Sequence, residues 1–162
     1  MKIGVSGHRE RDGADWAWTR DEITKIFLGK PGAIGWSCLA IGADQIFAEA
    51  AISFGAGHVA VIPSPKTYRD EFEGQDALRY DALLTRSRRT VKVNARTREA
   101  AFRVAGEKVV KSVDEMVVVW DGDGARREGG TGEVVDFARA RGVPCTWLDP
   151  IEKMVRTFGP TS

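Results

Sequence analysis

The stretch Glu115-Met116-Val117-Val118-Val119-Trp120 is apolar after its first residue and runs directly into the polar turn Asp121-Gly122. Strands that are buried on both faces of a parallel sheet have continuous apolar runs of this kind. Shorter runs rich in β-branched residues recur at Lys2 to Ser6, Gly35 to Ala40, His58 to Pro63, Thr90 to Val93 and Pro144 to Leu148. Helical patterns separate these runs. The sequence therefore predicts a three-layer α/β fold, with a mostly parallel sheet and helices on both faces.

Helix boundaries are predicted from capping residues and from the spacing of apolar side chains. Thr19 and Glu22 have the spacing of a capping box, so the first helix is predicted to begin at Thr19 and to end at Gly29-Lys30-Pro31. Further helices are predicted from Asp44 to Gly55, within Thr67 to Ser87, from Thr97 to Ser112 and from Thr131 to Arg141.

Length, composition and charge limit the classes of protein. The chain has 162 residues, of which 43% are hydrophobic, and a net charge of +1. These values fit a single domain over residues 1–162, and they give no reason to expect a nucleic acid or an anionic membrane as an obligatory partner. The first strand follows Met1 too closely for a signal peptide, and no apolar stretch has membrane-spanning length. We therefore expect a cytoplasmic protein.

Neither the cysteines nor the histidines form a metal-binding pattern. Cys38 and Cys145 lie in apolar runs without a CxxC spacing, which favours buried, reduced thiols. His8 and His58 are the only histidines, and neither belongs to an HxxxH or Cys/His cluster. We therefore predict no metal ion.

Three glycine-containing turns follow predicted strands one, two and five, at Ser6-Gly7-His8-Arg9, Gly42-Ala43-Asp44 and Gly129-Gly130-Thr131-Gly132. The carboxyl ends of parallel strands meet at one edge of the sheet, where open α/β sheets bind their ligands. Small residues allow a ligand to approach the backbone, and a helix that begins after such a turn presents N–H groups to an anion. The turns therefore predict a phosphate or nucleotide pocket.

The first turn has neither a complete GxGxxG nor a Walker sequence, so NAD binding and ATP hydrolysis are not indicated. It offers the hydroxyl of Ser6, the small residue Gly7 and two potential cations, His8 and Arg9. Arg9 is predicted to clamp a phosphate with its planar guanidinium group. The alternative is that Arg9 pairs with a neighbouring acid in an exposed turn.

In the second turn, Gly42 and Ala43 are predicted to lie against the ligand, and two roles are open for Asp44. Its carboxylate caps the first turn of the helix that follows, or it contacts a ribose hydroxyl.

The third turn is the strongest indication of a ligand site. Gly129, Gly130 and Gly132 surround a helix start, where glycines have an entropic cost that packing does not require. Close approach by a phosphate explains them, and Thr131 would add a hydroxyl. Gly122, at the end of the preceding strand, is included in this predicted binding set.

Two carboxylates are candidates for catalysis at the same place. Glu133 is predicted to bind a sugar hydroxyl or to act as a general base, the alternative being a favourable acid in the first turn of a helix. Asp121, at the end of the fifth strand, is the better polar candidate of the two.

A cationic stretch without acids contains Arg86, Arg88, Arg89, Lys92, Arg96 and Arg98. Such a stretch could bind nucleic-acid phosphates. It lacks an aromatic residue that would stack on bases, which favours a solvated face or a subunit interface.

With these motifs, the sequence resembles the SLOG superfamily of Rossmann-like proteins, which includes LOG phosphoribohydrolases, DNA-processing protein A and molybdenum-cofactor carrier proteins. The resemblance covers nearly the whole chain and depends on the order and spacing of the motifs. These are Val5-Ser6-Gly7-His8-Arg9, Ile41-Gly42-Ala43-Asp44-Gln45, Val59-Ala60-Val61-Ile62-Pro63, Asp121-Gly122, Gly129-Gly130-Thr131-Gly132 and Ala138 to Pro144.

The resemblance implies a nucleotide or nucleotide-derived ligand and a homo-oligomer and, for an enzyme, cleavage or transfer at an N-glycosidic bond. LOG enzymes carry Pro-Gly-Gly-x-Gly-Thr-x-Glu-Glu, whereas Glu128, Glu133 and Val135 stand here for the proline, the threonine and the first paired acid. Whether the chain is an enzyme therefore stays open. The alternatives are a single-stranded nucleic-acid-binding protein of the DNA-processing type and a pterin-cofactor carrier without catalysis.

Overall fold

A computed structural model of the chain describes residues 1–9, 11–122 and 130–160. Its elements are β1 (Lys2–Gly7), α1 (Trp16–Leu28), β2 (Ile34–Ser37), α2 (Ala43–Phe54), β3 (His58–Pro63), a 3-10 turn (Tyr68–Glu71), α3 (Gly74–Arg86), β4 (Arg89–Val93), α4 (Arg98–Ser112), β5 (Glu115–Val119), α5 (Thr131–Ala140), β6 (Cys145–Asp149) and β7 (Met154–Phe158). The strands form one sheet in the order β4-β3-β2-β1-β5-β6-β7. β1 to β6 are parallel, and β7 is antiparallel to β6.

Helices cover both faces of this sheet. α1, α2 and α3 pack on one face and α4 and α5 on the other. The central strand β5 contributes to both layers, because Val117 and Val119 pack with α1 and α2 whereas Met116 and Val118 pack with α4 and α5. This double burial explains why β5 is apolar at successive positions. The predicted three-layer, mostly parallel α/β fold is confirmed.

The predicted start of the first helix is wrong. α1 begins at Trp16, and its N-cap is Asp15, whose Oδ1 accepts a hydrogen bond of 2.9 Å from the backbone N–H of Trp18. Thr19 is buried inside the helix, and its hydroxyl donates to the backbone oxygen of Asp15. The Thr-x-x-Glu spacing is therefore one turn too late to be the cap.

One predicted strand has the wrong end, and one strand of the sheet was not predicted. The predicted second strand continues to Ala40, but β2 ends at Ser37, since Leu39 has a left-handed φ of 57° that a strand cannot contain. The sequence analysis did not predict β7, whose residues Met154–Phe158 are largely exposed and lack a run of buried apolar side chains.

A buried polar chain joins β2, β3 and the end of α3 through His58. Nε2 of His58 lies 2.7 Å from Oγ of Ser37, and Nδ1 lies 2.8 Å from Oγ of Ser87. Because the Ser87 hydroxyl donates to the backbone oxygen of Leu83, it accepts from Nδ1. The histidine is thus a neutral ring with its proton on Nδ1. Burial lowers the pKa of His58 to about 3, which agrees with this structural role.

No helix among the described residues is both long and apolar enough to cross a lipid bilayer.

Candidate functional site

The order of the strands places a crevice between the carboxyl ends of β1 and β5. From β1 the chain proceeds through β2 and β3 to β4 on one side, and then returns to form β5 on the other side of β1. Gly7 at the end of β1 is in register with Val119 at the end of β5. In open α/β sheets, ligands bind at such a reversal of strand order. The loops after β1 and β5 therefore define the candidate site, here called the switch-point crevice.

His8, which follows β1, and Asp121, which follows β5, contact each other at this crevice. The backbone N–H of His8 donates to the oxygen of Val119, and the backbone N–H of Asp121 donates to Nε2 of the His8 ring at 3.2 Å. The Asp121 carboxylate also lies 3.3 Å from Nε2 through Oδ1, and 2.5 Å from Nη2 of Arg11 through Oδ2. Two candidate residues from distant parts of the sequence are thus brought together, and Arg11 joins them.

Arg9 contacts other side chains than this pair. Its Nη1 lies 3.7 Å from Oε1 of Glu71, and its guanidinium group lies 4.8 Å from the centre of the Phe102 ring. Arg98 makes a bidentate ion pair with the same Glu71 and stacks on the same ring. This geometry is the alternative considered for Arg9, pairing with an acid. Phosphate binding by Arg9 stays a prediction.

The second turn packs directly on the first, as the convergence of the turns predicts. Gly42 has a φ of 89°, and a Cβ atom there would lie 2.2 Å from the backbone oxygen of Arg9. A Cβ on Gly7 would lie 2.6 Å from Cβ of Ala43, whose N–H donates to the oxygen of His8. Both glycines are needed for contact between the two turns. Contact of Gly42 and Ala43 with a ligand stays a prediction.

Asp44 stabilises the loop that leads into α2. Its Oδ2 accepts hydrogen bonds from the backbone N–H groups of Cys38, at 3.1 Å, and Ala40, at 3.4 Å. Burial raises the pKa of Asp44 to about 6, although these hydrogen bonds and the charge of Arg9 act in the opposite direction. The N-cap of α2 is Gly42, without a side-chain hydrogen bond, so Asp44 is not the predicted cap. Its contact with a ribose hydroxyl stays a prediction.

The third turn leads into a helix whose start lacks a side-chain cap. The N-cap of α5 is Gly130, without a side-chain hydrogen bond, and Thr131 and the buried Gly132 form the first turn. Glu133 follows, and its Oε1 is buried with no hydrogen-bond partner among the described residues. The predicted contribution of Gly129 lies outside the described residues. The start of α5 thus combines open N–H groups with an unpaired carboxylate oxygen.

Ser6 lies on the same face of the sheet as α5. It is in register with Val118, which packs with α4 and α5, and its half-buried hydroxyl has no hydrogen bond to any residue that the structure describes. Gly122 packs near Trp147: its φ is 83°, and a Cβ there would lie 3.2 Å from the Trp147 ring. Its contact with a ligand stays a prediction. Glu133 therefore has a buried carboxylate oxygen that the described residues leave unpaired, and Ser6 adds a partly exposed hydroxyl on the same face of the sheet.

The sequence analysis missed three contributors to this region, Arg11, Glu71 and Phe102. Each lies outside the glycine turns, and only the fold brings it to them. Within the described ranges, no group of three or more His, Cys, Asp or Glu side chains could hold a metal ion.

Comparison with known proteins supports the fold. No protein-family model matches the chain, and no curated protein matches its sequence. DNA processing protein A from Helicobacter pylori, whose structure was described for its single-stranded DNA binding mode, is similar with a TM-score of 0.63 and 14% identity, covering 92% of this chain and 65% of that chain. A second solved structure, TM1055, is similar with a TM-score of 0.56 and 17% identity, covering 89% of this chain and 71% of that chain.

These likenesses define a class of protein by its fold. The chain has a Rossmann-like α/β fold, which it shares with both solved structures. It spans less than two thirds of the length of the first neighbour.

Proposed function

We propose that the chain is a single-domain SLOG-type protein that binds a nucleotide or nucleotide-derived ligand in the switch-point crevice. The observation that carries this proposal is the buried Oε1 of Glu133 in the first turn of α5, which has no hydrogen-bond partner among the described residues. Buried polar atoms in folded proteins nearly always have partners, so an unpaired one beside a crevice indicates a ligand.

The proposed ligand has its phosphate at the start of α5. The N–H groups after Gly130 and the positive end of the helix dipole attract an anion there, and the hydroxyl of Thr131 adds a donor. Glu133 accepts a hydrogen bond from a ribose hydroxyl, and Ser6 donates to an oxygen of the ligand. His8 and Asp121 form the opposite wall, with Arg11 holding the Asp121 carboxylate in place.

If turnover occurs, we propose cleavage at the N-glycosidic bond. Glu133 is the better base, because its unpaired oxygen is available to take a proton from water, whereas the Asp121 carboxylate already contacts Arg11. The water oxygen bonds to the anomeric carbon, the bond to the base nitrogen breaks with its electron pair, and the proton that Glu133 took from water is then transferred to that nitrogen. Asp121 then orients the ribose.

The binding proposal is tested by thermal shift and calorimetry with the four common ribonucleoside monophosphates. A bound nucleotide raises the melting temperature, because a ligand that binds only the folded state stabilises it. Ser6→Ala and Glu133→Gln are expected to weaken binding about tenfold each. Asp136→Asn is the matched control, since Asp136 is exposed on the same helix. No shift with any nucleotide, or equal affinities in all variants, contradicts the proposal.

A second candidate is single-stranded nucleic-acid binding, which the similarity to the DNA processing protein favours. Arg86, Lys92 and Arg96 are exposed and have no ion pair within the described part of the chain. Binding through them would depend strongly on salt. Fluorescence anisotropy with a labelled single strand at low and high salt distinguishes the candidates, because Glu133→Gln leaves this binding unchanged and an Arg86→Ala/Arg96→Ala double variant weakens it. A pterin carrier would instead retain its ligand through purification. The predicted homo-oligomer is tested separately, by light scattering.

A further inference from the structure

A second pocket lies at the amino-terminal edge of the sheet, opposite the switch-point crevice. Its volume is about 290 Å³, and it is lined by Lys2, Ile34, Trp36, Val59, Arg88 and Arg89. Three of these residues stand at the starts of strands, since Lys2 begins β1, Ile34 begins β2 and Arg89 begins β4. The pocket is therefore independent of the proposed nucleotide site.

Residues in register on three neighbouring strands form the floor of this pocket. Trp36 on β2 is in register with Val59 on β3, and Val59 is in register with Arg89 on β4. The side chains of Trp36 and Val59 pack in the α4 and α5 layer, so all three residues lie on that face. The floor is thus apolar, with cationic side chains at its sides.

None of the three cations that line the pocket has an acidic partner among the residues the structure describes. Nζ of Lys2 and the guanidinium carbon of Arg89 lie 5.9 Å and 5.1 Å from the centre of the Trp36 ring. The carboxylate of Asp114 binds the backbone N–H of Lys2 and not its ammonium group. By comparison, the exposed Arg69 is paired with the carboxylate of Asp81. The pocket therefore holds uncompensated positive charge.

Arg88 is held in position by the backbone beside it. Its Nη1 donates to the oxygen of Ala56 at 2.9 Å, and its Cδ lies where a Cβ of Gly57 would come within 2.7 Å. Gly57 has a φ of 117°, a conformation that favours glycine. Arg88 is thus fixed by a hydrogen bond, whereas Lys2 and Arg89 contact the Trp36 ring.

The indole group of Trp36 adds a further polar atom without a partner. Trp36 is 3% exposed, and its Nε1 is buried with no hydrogen-bond acceptor among the described residues. Indole N–H groups usually find an acceptor when they are buried. Trp36, which lines the pocket, therefore has a polar atom that the described residues leave unpaired.

We propose that this pocket binds a small organic phosphate. The phosphate group lies between Lys2 and the two arginines, whose planar guanidinium groups match its oxygens. The organic part lies on Ile34 and Val59. The volume suits a molecule no larger than a mononucleotide, at the lower end of the range for ligand pockets.

The test follows the Trp36 indole resonance in ¹H–¹⁵N spectra, assigned with Trp36→Phe, while phenyl phosphate is added. We expect the resonance to shift and then saturate. In the Lys2→Ala/Arg89→Ala variant, the affinity for phenyl phosphate should be lower by about tenfold or more. Lys92→Ala is the matched control, because Lys92 is on the same strand as Arg89 but on the opposite face of the sheet. Side chains alternate along a strand, and the neighbours Val91 and Val93 pack in the α4 and α5 layer. Benzoate distinguishes a phosphate site from a general anion site.

The proposal is overturned by an absent shift, by equal affinities of the wild type and the double variant, or by a response to benzoate that equals the response to phenyl phosphate. A shift caused only by a single-stranded oligonucleotide would also overturn it, because the pocket would then be part of a nucleic-acid surface. Glu133→Gln is expected to bind phenyl phosphate at this pocket unchanged. Failure of the nucleotide proposal and failure of this one are therefore separate results.

Discussion

Nε2 of His8 lies 3.3 Å from Oδ1 of Asp121, and this contact connects the two halves of the sheet where the strand order reverses. The residues are 113 positions apart, yet the parallel pairing of β1 with β5 brings them to one edge. Arg11 contacts the same carboxylate. The geometry of the crevice therefore depends on a small charged cluster as well as on glycine turns.

We expect Asp121→Asn to lower the free energy of unfolding by about 1 kcal/mol, because the neutral amide loses the ion pair with Arg11. Urea denaturation of Asp121→Asn, Arg11→Ala and the double variant measures their coupling. Asp81→Asn is the control, since the Arg69–Asp81 pair is more exposed and should contribute less. A coupling energy of zero between Arg11 and Asp121 would contradict this prediction.

Gly42→Ala is expected to destabilise the fold by about 3 kcal/mol or more. The new Cβ would meet the backbone oxygen of Arg9 at 2.2 Å, and the φ of 89° is unfavourable for alanine. Gly142→Ala is the matched control, because Gly142 also has a positive φ, 68°, but open space around its Cβ position. Its cost should be about 1 kcal/mol. Equal unfolding free energies of the two variants would show that contact between the turns does not require Gly42.

Asp44 is expected to make the protein less stable as the pH rises from about 4 to 6. Its pKa is about 6 in the folded state against an ordinary value of 3.8, so the folded chain binds more protons than the unfolded chain in this window. The penalty is complete above pH 6 and is on the order of 3 kcal/mol.

Asp44→Asn removes the titrating group and keeps an oxygen that can accept from Cys38 and Ala40. Chemical denaturation between pH 3.5 and 7, a range chosen around the pKa values of about 4 and 6, should give a difference between variant and wild type that grows with pH. A difference that is constant over this range would contradict the raised pKa.

His58 is expected to stay neutral well below pH 6. Burial lowers the pKa of His58 to about 3 in the folded state, against about 6.5 in the unfolded chain. As the pH falls, the unfolded chain is therefore protonated before the folded one. The stability that His58 contributes is lost between about pH 6.5 and pH 3. The ring resonances of the two histidines, assigned with His8→Ala, provide the measurement. A His58 resonance that titrates near pH 6.5 would contradict the buried hydrogen-bonded chain through Ser37 and Ser87.

The sequence predicts the layers of the fold because the apolar runs reflect burial directly. β3 has the predicted bounds, His58–Pro63, since all of its residues are buried. β7 was missed because Met154 and Val155 are exposed at the edge of the sheet, and their pattern carries no burial signal. The start of α1 was misplaced because a Thr-x-x-Glu spacing also occurs inside helices.

The candidate site could be located from the sequence, but its contacts could not be deduced. Carboxyl ends of parallel strands meet by necessity, which is why the turns at Gly7 and Gly42 lie together. Packing between the two turns already requires those glycines, so their presence alone does not show that a ligand approaches them. Contacts such as Arg9 with Glu71 depend on long side chains from separate loops, and no local pattern encodes them.

The antiparallel direction of β7 provides an attachment site for a support on the side of the sheet opposite the crevice. Phe158 at the end of β7 is opposite Cys145 at the start of β6, so the chain around Gly159 returns to the same edge of the sheet as Lys2. A fluorophore or surface linker coupled near Gly159 would stand away from the crevice between β1 and β5. Immobilised protein would therefore present that crevice to the solution, which suits surface-based screening of ligands.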